Sequence, residues 1–98
     1  MEIKKEMDGD TAVVYVSGEV DSANVSDFEE GLLAATEGEE KVTIDLTDFE
    51  YISSTGLRVL LMMQKKYGRG DALSIRNVND EVMDIFNVTG FTKLLHIV

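Results

Sequence analysis

The chain has no cysteine, no proline and no tryptophan, and its only histidine is His96. Without cysteine there is no disulfide framework, thiol nucleophile or cysteine-ligated metal. One histidine alone does not build a structural zinc site, so no metal or other cofactor is expected. No apolar run approaches the roughly 18 residues that a membrane-spanning helix needs. The N-terminal MEIKKEMDGD lacks the apolar core of a secretory signal, so a cytoplasmic protein without a membrane partner is expected. Basic residues are scarce as well: 9 against 19 acidic ones, for a formal charge of −10. Such a surface repels phosphate backbones, which argues against direct nucleic-acid binding. It suits a basic protein partner, and it also keeps a small domain soluble.

What remains is an ordinary globular composition. A chain of 98 residues with 44% apolar content is expected to fold as one domain spanning 1–98, with a modest core. Met1 to Glu6 alternates, Asp8-Gly9-Asp10 is a turn signal, and Thr11 to Ser17 is rich in β-branched residues, so the start reads as a hairpin. Gly18 is read as the end of the second strand. Val25, Phe28, Leu32 and Ala35 then recur at helical spacing, with Asp21, Ser22 and Asn24 as competing N-caps. Lys41 to Leu46 reads as a buried strand and Ala72 to Arg76 as another. A helix capped by Asn79 runs to about Val88 with Val82, Ile85 and Phe86 inward, and Gly90 ends it. Leu94 to Val98 reads as a closing strand. The expected order is β-β-α-β-α-β-α-β, an α/β fold with a mixed, mostly parallel sheet of about five strands.

The stretch from Ile44 to Arg58 organises the chain. It passes from a strand through an acidic turn into Ser53, Ser54 and Thr55, and then into a helix from Thr55 to Tyr67. A helix N-terminus leaves amides unpaired, and a hydroxyl side chain caps them well. The same amides and the helix dipole also favour negative charge, so a hydroxyl there is well placed to carry phosphate. The helix is apolar over more than one stripe, which implies deep burial or a partner surface. Met62 and Met63 read as core, and Asp45 and Asp48 read as a solvated turn.

Four pieces together resemble the STAS domain of anti-sigma-factor antagonists. They are Val16-Ser17-Gly18-Glu19-Val20-Asp21, Val42-Thr43-Ile44-Asp45-Leu46, the loop and helix start from Tyr51 to Leu61, and Val88 to Leu95. The resemblance covers nearly the whole chain. It implies a regulatory binding protein, not an enzyme, which captures an anti-sigma factor and so frees a sigma factor. In that family the anti-sigma factor is itself a serine kinase that phosphorylates the antagonist and lets it go, and a PPM-type phosphatase resets the cycle, so the resemblance implies both as partners. Carried over by position, the phosphoacceptor falls on Ser54. The partner surface falls on Asp21, Ser53, Ser54, Thr55, Gly56, Leu57 and Arg58. Members with established switches commonly carry Asp directly before the acceptor, where this chain has Ser53. The departure keeps three hydroxyls in view, those of Ser53, Ser54 and Thr55. A STAS module that binds a partner in another signalling complex without being phosphorylated is the alternative.

Two other classes fit less well. A receiver domain using Asp45 as acceptor needs an acidic pair after its first strand, but Asp8 and Asp10 lie in a hairpin turn. A hydrolase using Ser54 needs a base, and the sole histidine is in the last segment. There is no G-x-S-x-G elbow and no Gly-rich phosphate loop.

Overall fold

Alternating apolar residues build the centre of the molecule, a computed structural model that describes residues 1–68 and 70–98. In β2 (Thr11–Val20), Ala12, Val14 and Val16 are fully buried. They meet Val42 and Ile44 of β3 (Lys41–Asp45) and Leu73 and Ile75 of β5 (Leu73–Arg76) in one core cluster. β1 (Glu2–Asp8) pairs antiparallel with β2 through the Gly9-Asp10 turn, where Gly9 takes a positive φ of 62°. β3 runs parallel to β2, and β5 parallel to β3, so the order is β1-β2-β3-β5.

A fifth strand, β4 (Phe49–Ile52), lies parallel to the far end of β2. It replaces the acidic turn expected there. Asp48 and Glu50 gave the stretch the look of an acidic turn, yet Phe49 and Ile52 are buried. β2 has room for this second partner because it does not stop at Gly18. Gly18 adopts φ 90° and the pairing register shifts between Gly18 and Glu19. It therefore acts as a bulge, which re-aims a strand without ending it. Its amide donates to the Asp48 carbonyl at 3.0 Å, carrying the ladder from β3 to β4.

Three helices cover the core. α1 (Val25–Thr36) buries Phe28 and Leu32, and Phe28 stacks on Phe49 with ring centroids 6.3 Å apart. α2 (Ser54–Tyr67) buries Leu57, Leu60 and Met63, and Met62 packs against the core as well. Gly68 closes it, with its amide donating to Gln64 O. α3 (Asp80–Thr89) begins at Asn79, whose Oδ1 accepts from the Val82 amide at 2.8 Å, and ends at Gly90 in the left-handed conformation. Among the described residues no helix is long and apolar enough to cross a membrane.

The expected closing strand from Leu94 to Val98 is reduced to one bridge between Ile97 and Ile75, after a single 3-10 turn at Phe91–Lys93. Leu95 is buried, but Leu94 and Val98 are exposed, so the segment is anchored at single points. The strand total of five stands because β4 is gained as this one is lost.

Candidate functional site

β2 and β4 stop side by side, and that shared end positions the three hydroxyls. The Ser53 amide donates to the Val20 carbonyl at 2.9 Å, the last rung of the pairing. Ser53 keeps an extended backbone, and helical geometry starts at Ser54. Ser53 is thus the N-cap: its Oγ accepts from the Gly56 amide at 3.4 Å, and its carbonyl accepts from Leu57 N–H at 3.0 Å. The same Oγ shares a hydrogen bond of 2.8 Å with Thr55 Oγ1. Ser53 and Thr55 are half-buried and occupied with each other. Ser54 between them is exposed, and its hydroxyl has no hydrogen-bond partner among the described residues.

Gly56 holds the helix start down onto the strand ends. A Cβ at this position would lie 2.6 Å from Ile52 Cγ1 and 2.9 Å from Val20 Cγ1. Only the absence of a side chain permits that approach. Leu57 is 2% exposed and faces the core. Gly56 and Leu57 therefore belong beneath the expected partner surface and not on it, because neither offers side-chain area to a visitor. Arg58 is exposed and stands one helical turn beyond Ser54, on the same face.

Asp21 joins this end through the turn that leads into α1. Its Oδ1 accepts from the amides of Ala23 (2.9 Å) and Asn24 (3.3 Å), while Asn24 Oδ1 accepts from the Asp21 amide at 2.9 Å. The N-cap position of α1 is Asn24, but its side chain makes no capping bond there. Instead Asn24 Nδ2 donates to the Glu19 carbonyl at 2.8 Å, tying the turn to the end of β2. Asp21 is thus an ordered, exposed carboxylate beside the loop and not a helix cap. Glu19, Glu50 and the half-exposed Tyr51 continue the surface into a groove of about 620 Å³ walled by Asn79, Asp80 and Glu81. Asn79 is expected from the sequence only as a helix cap, and Glu19 and Tyr51 only as members of motif pieces; Glu50, Asp80 and Glu81 are not expected at a surface site. The signal for them was the pattern of β4, with Phe49 and Ile52 inward and Glu50 and Tyr51 outward.

Asp45 is not part of a solvated turn. It is 3% exposed, and its two oxygens are shared among the Thr47 amide and hydroxyl, Arg76 Nε at 2.8 Å and Asn77 Nδ2 at 2.9 Å. Burial alone would push this carboxyl up. The hydrogen bonds from the Thr47 hydroxyl, the Arg76 guanidinium, the Thr47 amide and the Asn77 amide outweigh it and hold the pKa down at about 2. In turn, Asp45 pushes the Arg76 guanidinium up. A carboxylate so covered is not presented to a phosphodonor, so Asp45 braces the β3–β4 turn. Asp48 remains exposed. His96 lies near the far end of α2, with its amide donating to Gln64 Oε1 and its ring 3.8 Å from Asp71. Among the described residues no group of His, Asp or Glu is arranged to hold a metal ion.

Comparison with known proteins fits this geometry. Residues 3–96 match the family described as "Mlab, STAS domain". An anti-sigma-B factor antagonist of Staphylococcus epidermidis is 33% identical over 86 residues, covering 86% of this chain and 80% of the relative. The crystal structure of an anti-sigma factor antagonist from Mycobacterium paratuberculosis superposes with a TM-score of 0.86 at 24% identity, covering 98% of this chain and 83% of that one. The antagonist SpoIIAA in its unphosphorylated form superposes with a TM-score of 0.75 at 17% identity, covering 99% and 88%. The chain belongs to the STAS domain family, among the anti-sigma factor antagonists.

Proposed function

We propose that this protein binds an anti-sigma factor that has serine-kinase activity, and by holding it frees a sigma factor for transcription. The contact surface is Asp21, Ser53, Ser54, Thr55 and Arg58, shaped from beneath by Gly56 and Leu57. Phosphorylation of Ser54 ends the interaction. The hydroxyl oxygen bonds to the γ-phosphorus of ATP, the bond to the β-phosphate breaks, ADP leaves, and the hydroxyl proton is released. A PPM-type phosphatase hydrolyses the ester and returns the protein to its binding form. The protein itself acts as a regulatory ligand in the cytoplasm and needs no cofactor.

One observation carries the reading: of three adjacent hydroxyls, only Ser54 is exposed and unengaged, at a helix N-terminus that tolerates charge. Phosphate adds roughly −1.5 to −2 charges and strong acceptor oxygens. A partner packed on the loop would have to bury that charge, which is costly unless it is paired. No backbone movement is required. Titration of the cognate anti-sigma factor into wild-type protein and into Ser54→Asp tests this. Wild type should bind at least tenfold more tightly, and equal binding would refute the charge mechanism.

A second reading, a STAS module that binds a partner in a different complex and is not phosphorylated, is compatible with the family description "Mlab, STAS domain", which names no sigma-factor role. In that case ATP and the anti-sigma factor would leave the protein's mass unchanged.

A further inference from the structure

Ser54 and Arg58 stand four residues apart on α2, both exposed, so their side chains share one helical face. Helical side chains lean toward the N-terminus, so a side chain as long as Arg58 can extend over the first turn to a group carried on Ser54. No carboxylate pairs with Arg58 among the described residues, whereas Lys4, Lys5 and Arg76 each have one. The charged groups around this end of the molecule include the carboxylates of Glu19 at the close of β2, Asp21 in the next turn, Glu50 on β4, and Asp80 and Glu81 across the groove; Tyr51 stands beside Glu50, and the Met1 terminus lies against Gly18. A phosphate dianion on Ser54 would be repelled by these carboxylates. Arg58 is the cationic side chain on the helical face of Ser54 among the described residues.

We propose that Arg58 is an intramolecular clamp for phosphoserine 54, so that phosphorylation both adds a charge and withdraws Arg58 from the partner. This rests on the reading of Ser54 as the phosphoacceptor. A planar guanidinium fits two phosphate oxygens at once, which a point charge does not. In the unmodified protein Arg58 is free to reach an acidic or carbonyl group on the anti-sigma factor. In the phosphorylated protein it is folded back onto its own helix. One modification thereby removes two recognition elements, the bare loop and the arginine. The clamp also lowers the charge that the phosphoprotein shows to solvent, so the modified protein persists until the phosphatase competes with Arg58 for the ester.

The test installs phosphoserine at position 54 during translation, so it does not depend on any kinase. The second phosphate pKa, ordinarily near 6, is followed by phosphorus NMR in the wild-type background and in Arg58→Gln, Arg58→Lys and Lys65→Gln backgrounds. The clamp gives a wild-type pKa below that of Arg58→Gln by at least about 0.3 unit. Arg58→Lys should recover part of the difference, Lys65→Gln none, and 0.5 M salt should shrink it. Equal pKa values in the wild-type and Arg58→Gln backgrounds would overturn the proposal. Failure of the proposed switch reads differently: the clamp would appear in the pKa, yet the anti-sigma factor would bind both forms alike.

Discussion

The hydroxyls of Ser53 and Thr55 lie 2.8 Å apart and satisfy each other, with the Gly56 amide bound to the same Ser53 oxygen. Ser54, between them in sequence, points away from that pair into solvent. This division separates the two structural hydroxyls from the proposed phosphoacceptor. Ser53→Ala should remove the cap and lower stability by about 1 kcal/mol, measured by urea unfolding, while phosphate still goes to Ser54. Ser54→Ala should leave stability within about 0.5 kcal/mol of wild type, as exposed sites usually do, and keep the anti-sigma factor bound in the presence of ATP.

The approach of Gly56 to Ile52 and Val20 makes a second prediction. Gly56→Ala forces at least one of two buried side chains to move, since its Cβ would sit 2.6 Å from Ile52 Cγ1. Overpacking of that kind costs about 1–3 kcal/mol. Gly56→Val should cost more, because its branched side chain also crowds the helix's first turn. Urea midpoints measure both. Unchanged midpoints would mean that the helix start floats above the strand ends.

Asp45 makes stability depend on pH with a definite sign. Its carboxyl is held at about 2 in the folded protein against an ordinary 3.8. A depressed folded pKa contributes stability that is present above the unfolded value and lost as pH falls through the folded one. The contribution is about 2 kcal/mol. The stability difference between wild type and Asp45→Asn should therefore be constant from pH 7 to about 4.5, shrink between about 4 and 2, and not grow in acid. Paired urea titrations isolate this group from the other carboxylates.

Asn79 joins two elements. Its Oδ1 caps α3 at the Val82 amide, and its Nδ2 donates to the Phe49 carbonyl at 2.6 Å, at the start of β4. Asn79→Ala removes both bonds and should cost about 1–3 kcal/mol. Asn79→Asp keeps the cap and loses the donor, so it should fall between the two. Hydrogen exchange in β4 should accelerate in both variants.

Much of this was legible in the sequence because local chemistry and tertiary structure agree. Asn79 and Gly90 bracket α3 as expected, and Ser53 caps α2. Of the residues carried over from the motif, Asp21, Ser54 and Arg58 are exposed. Misreadings arose where a residue's role depends on distant partners. Gly18 reads as a stop until β4 appears beside it to continue the ladder. Asp45 reads as a turn acid until Arg76 and Asn77, about thirty residues later, close over it. Leu57 is inseparable from the recognition motif in one dimension, yet a helix turns it into the core. The run from Leu94 to Val98 has strand composition, but only Ile97 reaches a neighbour to pair with.

The central claim is that Ser54 is the switch. It is tested most directly by incubating the protein with its anti-sigma factor and ATP, then mapping the phosphate with the ester kept intact. One acid-stable phosphate on Ser54, together with release of the complex, is the expected result. A phosphate on Ser53 or Thr55, an acid-labile phosphate on an aspartate, or an unmodified protein that stays bound would contradict it.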